Sequence, residues 1–117
     1  MKITVPKITF LIVVVLAVLC VSSQMSIAVK SIAGPGAGTC GEWTEERKKS
    51  ATTTQLAWVM GFISSYNHYM DTNIFGDTEY NAIAGWLDNY CVSNPLDTVY
   101  IGAVKLVDTL KKRSLKK

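Results

Sequence analysis

Hydrophobic positions along this chain of 117 residues fall into distinct blocks with different periods. The first, Phe10 to Val21, is an unbroken apolar run of about a dozen residues, shorter than the ~20 that a membrane-spanning helix needs. The later blocks have helical spacing. Leu56, Val59, Met60, Ile63, Asn67 and Met70 recur at three- and four-residue steps behind Thr52-Thr53-Thr54, any of which can cap a helix. Ile83, Trp86, Leu87 and Tyr90 make a second stripe, with Asp77 or Thr78 as its expected cap and Cys91 one turn beyond Leu87. Val99, Ala103, Leu106, Val107 and Leu110 make a third. Ahead of it, Asn94-Pro95-Leu96-Asp97 reads as a start signal, with Asn as cap and Pro at the first helical position. The stretch CGEWTEERK from Cys40 adds one helical turn or two. No alternating strand pattern competes, so the expected fold is all-α: a small single-domain bundle of three main helices plus a short N-terminal helical segment.

The segments between the stripes are short. Val29 to Thr39 contains Gly34-Pro35-Gly36-Ala37-Gly38, read as a flexible lead-in with little to pack. No strand precedes these glycines and no Gly-Lys-Ser/Thr follows, so they match no phosphate-binding loop. Thr72-Asn73-Ile74-Phe75-Gly76 joins the first two long helices and carries two apolar residues expected at the surface.

The N-terminal block has the anatomy of a secretory signal peptide: Lys2 and Lys7, the apolar run, then Ser26-Ile27-Ala28 with small residues at −3 and −1. Expected boundaries are a signal peptide over 1–28, the lead-in over 29–39, the helical domain over 40–112 and a basic tail over 113–117. Cleavage after Ser23 or Ala33 also stays open. Two rival readings are an uncleaved anchor and lipidation at Cys20, the second opposed by Leu19 where a small residue is wanted. The expected location is the periplasm, with no stable membrane insertion once the leader is gone.

Export decides what the cysteines mean. Cys20 leaves with the leader, and Cys40 and Cys91 then have one intramolecular pairing in an oxidising compartment. A Cys40–Cys91 disulfide staples the N-terminal segment to the end of the second long helix.

Charge is uneven. The chain carries twelve basic and nine acidic residues, for a net charge of +3. Lys2 and Lys7 belong to the leader, and the sequence ends in KKRSLKK. Between Cys40 and Leu110 only Arg47, Lys48, Lys49 and Lys105 oppose all nine acids. An acidic body with a basic tail is not the footprint of a nucleic-acid binder. The tail suits the dipole at a helix C-terminus.

Three motifs carry a resemblance. Thr39-Cys40-Gly41-Glu42-Trp43, Ala57-Trp58-Val59-Met60 and Tyr90-Cys91-Val92-Ser93-Asn94-Pro95 resemble, in this order, the HdeA/HdeB group of small periplasmic acid-stress chaperones. The resemblance spans roughly Thr39 to Lys112. It implies a domain folded near neutral pH, a homodimer among its states, that loosens in acid and holds unfolding proteins. Protonating nine carboxylates and His68 carries the exported chain from about +1 to about +11, and such self-repulsion opposes a compact state. Trp43, Trp58, Trp86, Met60, Phe62, Ile74 and Phe75 are the candidate client- or partner-binding residues, although an ordinary core also explains the three tryptophans. The stretch Gly61 to Asn67 departs from the group and is similar to the Gly-aromatic-Ile-x-Gly stretch of Rap1a/Tai-type immunity proteins, which carry more cysteines. That likeness implies the alternative: an inhibitor or immunity protein that binds one folded secreted partner through the loop around Ile74 and Phe75.

Catalytic chemistry finds little foothold. His68 is the single histidine, Cys40 and Cys91 are expected to be oxidised, and no close-spaced ligand pair suggests a metal. The expectation is a binding protein with no catalytic residue, cofactor or metal.

Overall fold

The computed structural model describes residues 6–20, 31–50 and 53–116. The chain divides into two units, Met1–Lys30 and Ser31–Lys117. In the first, helix α1 runs over Lys7–Cys20, and Ile8, Leu11, Ile12 and Val15 on it are exposed. No helix among the described residues is long and apolar enough to cross a membrane. The cleavage positions after Ser23 and Ala28, and Thr52 as a cap, lie outside the described residues.

The second unit is all-α. A 3-10 turn over Pro35–Ala37 precedes α2 (Cys40–Lys49), α3 (Thr54–Tyr69), α4 (Tyr80–Ser93) and α5 (Val99–Ser114). The N-terminal segment is a full helix, because Thr39 forms a capping box: its hydroxyl accepts from Glu42 N–H at 3.1 Å, and Glu42 accepts from Thr39 N–H at 2.7 Å. Thr53 caps α3 through Leu56 N–H.

Two predicted starts are corrected. Helix α4 begins behind Glu79 rather than Asp77 or Thr78, since the Thr78 hydroxyl donates to the Phe75 carbonyl and accepts from Arg113. Helix α5 begins behind Thr98, whose hydroxyl accepts from Ile101 N–H. Asn94 instead closes α4: its side-chain amide donates to the Tyr90 carbonyl at 2.9 Å. The carbonyl of Asp97 accepts from Cys40 N–H at 2.8 Å, so the turn after Pro95 serves the start of α2.

The stripes meet as their spacing requires. Helix α2 packs on α4, and α5 packs on both α3 and α4. The core contains Cys40, Trp43, Leu56, Val59, Ile63, Ile83, Leu87, Cys91, Val99, Ala103, Leu106 and Leu110, all buried. Each large aliphatic side chain so enclosed contributes about 1.5–3 kcal/mol. Met70, counted in the α3 stripe, is exposed at the helix end.

The lead-in is also corrected from Gly34 onward. The Pro35–Ala37 turn packs on α3 and α5, and Gly36 is buried. A Cβ on Gly36 would stand 2.4 Å from the Trp58 ring, so only glycine allows the backbone this close. Val99 N–H donates to the Gly38 carbonyl at 2.9 Å and fixes the far end of the segment.

Candidate functional site

Helices α2 and α4 are joined twice, one turn apart. Cys40 and Cys91 form a disulfide with their α-carbons 4.8 Å apart. One turn along each helix, the buried Trp43 donates its indole N–H to Asp88 Oδ1 at 2.9 Å. Arg47, one turn further along α2, grips the same carboxylate with Nε and Nη2, both at 2.9 Å. The Arg47 guanidinium holds the Asp88 carboxyl below the usual carboxylate range; partial burial opposes this, and the Trp43 bond adds to it. Asp88 was only one of nine acids in the sequence; the single available signal was Trp43 and Arg47 at i and i+4 on a helix.

The remaining candidate residues scatter over other faces. Trp58 stacks on Phe62 with ring centres 5.4 Å apart, and Phe62 meets Tyr100 edge-on at 5.8 Å. Trp86 stacks on Tyr90 at 5.4 Å on the α4 side. Met60, Phe62, Trp58, Trp86 and Phe75 are all partly buried against the core. Trp43 is fully buried, so the folded domain does not present it as a contact surface.

Ile74 is a further correction: it is 3 % exposed, not a surface residue. Asn67 explains why. Its side-chain oxygen accepts from Ile74 N–H at 2.9 Å, and its carbonyl accepts from Thr72 N–H at 3.0 Å. Asp71 takes the left-handed position after α3 (φ 47) that a glycine often fills, and the chain turns back on the bundle. Arg113 then ties the loop down through the Phe75 carbonyl at 3.3 Å and the Thr78 hydroxyl.

Burying Ile74 leaves a groove of about 220 Å³ at the C-terminal ends of α3 and α5, lined by Tyr66, Met70, Ile74, Lys111 and Leu115 among others. The Lys111 ammonium lies 5.7 Å from the centre of the Tyr66 ring. Tyr69, beside Met70 in sequence, is 81 % exposed, and Leu115 is 85 % exposed.

On α4, Tyr90 gives its hydroxyl proton to Asp97 at 2.5 Å. Its phenol is pushed up to about 12, chiefly by burial and then by that bond. His68 is exposed and meets Tyr69 edge-on. No group of three histidine, cysteine or acidic side chains able to hold a metal occurs among the described residues. The Arg47–Asp88 contact closes over one fully buried aromatic side chain, Trp43. Comparison with protein-family models, with curated proteins and with solved structures finds no match for this chain.

Proposed function

We propose that this chain is an exported, HdeA/HdeB-like binding protein that releases apolar surface in acid and holds unfolding periplasmic proteins. The observation that carries the reading is the Asp88 carboxylate, which Trp43 and Arg47 share. Protonating Asp88 dissolves the ion pair and weakens the cover that α2 lays over the core, while the Cys40–Cys91 bond keeps α2 attached to α4. Trp43, sealed at neutral pH, then becomes available to a client. The groove beside Met70 and Leu115 offers a smaller apolar contact in the folded state. The short, apolar α1 behind Lys2 supports the leader on which export depends.

The inhibitor reading keeps an exposed loop but not Ile74, which faces the core, and Phe75 is partly covered. The test is aggregation of an unfolding client, followed by light scattering between pH 2 and pH 7, with binding of an apolar dye read in parallel. Suppression and dye binding are expected in acid and not at pH 7. Failure of both in acid removes the chaperone reading.

A further inference from the structure

We infer that the exported chain keeps Ala33, because the folded domain uses this residue's carbonyl to hold Trp58. The inference rests on the export reading, since only a processed leader raises the choice among cleavage positions. The sequence offers bonds after Ser23, Ala28 and Ala33. The third differs from the others: it lies inside the compact unit that begins at Ser31.

Trp58 Nε1–H donates to the Ala33 carbonyl at 3.2 Å. The same indole covers the residues that follow. Gly34, at φ 79, lies against its Cδ1 and Nε1 edge, where a Cβ would stand 3.6 Å away, and Gly36 is buried beneath the six-membered ring. At the other end, the Gly38 carbonyl accepts from Val99 N–H at 2.9 Å. Ala33–Gly38 is therefore a strap across Trp58, fixed at both ends by hydrogen bonds.

Hydrolysis of the Ala33–Gly34 bond would carry the accepting carbonyl away with the leader. It would also replace the neutral Gly34 amide by an ammonium, beside the edge at which the indole presents its own donor. The N–H of Trp58 would lose its acceptor and gain a neighbour of like polarity. Cleavage upstream leaves the strap whole.

The test begins with the full chain, leader included, expressed in a bacterial host that has a periplasm. The intact mass of the periplasmic protein gives its first residue. A start upstream of Ala33, with the leader removed, is expected. A start at Gly34 overturns the inference and leaves the export reading standing; an uncut chain of 12.8 kDa confined to the cytoplasm overturns the export reading and the inference with it. On the same processed protein, the three indole N–H signals are assigned with Trp58→Phe as reference. The Trp58 N–H should exchange with solvent about tenfold more slowly than a free indole. Exchange at the free-indole rate overturns the strap.

Discussion

Trp43 and Asp88 meet at 2.9 Å, one helical turn from the Cys40–Cys91 bond on both helices. The two contacts run in opposite senses along α2 and α4, so they fix an antiparallel pair at adjacent turns. Through this carboxylate a fully buried indole keeps its N–H satisfied, and the carboxylate has its charge matched by Arg47.

Removing that acceptor should be felt as a buried donor left alone. Asp88→Ala is expected to destabilise the oxidised protein by about 2 kcal/mol, within the range for an unsatisfied buried polar group. In a Trp43→Phe background the loss should shrink, since the indole N–H is already gone. A double-mutant cycle by urea unfolding measures the difference.

Acid acts on the same contact with a defined sign. A carboxyl held below its ordinary value stabilises the fold above about pH 4. That contribution is withdrawn as pH falls below 4 and through the depressed folded value. Asp88→Asn should flatten this part of the stability profile while retaining an acceptor for Trp43. Urea midpoints at pH 7, 4.5, 3 and 2 for both proteins provide the comparison.

Base acts on Tyr90. Its phenol resists ionisation in the folded state up to about pH 12, whereas the unfolded chain ionises near 10. The stability it supplies is complete below pH 10 and drains as pH rises from there toward 12. Ultraviolet titration should show one of the five tyrosines ionising last, and Tyr90→Phe should abolish that late step.

Reduction should be more damaging than any single substitution here. The disulfide spans 51 residues, and closing such a loop in the unfolded chain corresponds to about 4 kcal/mol. Thermal unfolding with and without reductant gives the difference. Thiol titration of the unreduced, unfolded chain shortened to begin after Cys20 should find no free cysteine.

Two glycines should respond oppositely to alanine. Gly36→Ala forces a methyl into the Trp58 ring and should destabilise the domain. Gly61, in the middle of α3, has nothing within 4 Å of an added Cβ, so Gly61→Ala should stabilise by about 0.5–1 kcal/mol. Melting temperatures of the two variants decide it.

The disulfide and the long helices were legible because each rests on local or forced information. Three- and four-residue spacing places Leu56, Val59 and Ile63, or Val99, Ala103 and Leu106, on one face whatever lies opposite. With Cys20 read as part of a leader, Cys40 and Cys91 have one pairing. The caps were legible only where nothing competed: Thr53 caps α3 as its position suggests, but Thr78 is engaged by the distant Arg113, and Asn94 closes α4 through the Tyr90 carbonyl four residues before it. No local pattern signals the first of these contacts.

Sequence by itself thus determined an all-α domain, its main stripes and its crosslink, since period and redox chemistry follow from residue order. Tertiary structure alone decided the rest. It turned Ile74 inward through Asn67, closed Gly36 under Trp58, and chose Asp88 among nine acids as the partner of Trp43 and Arg47. These are contacts between residues far apart in the chain or in loops without a period, and their energies exist only once the helices have packed.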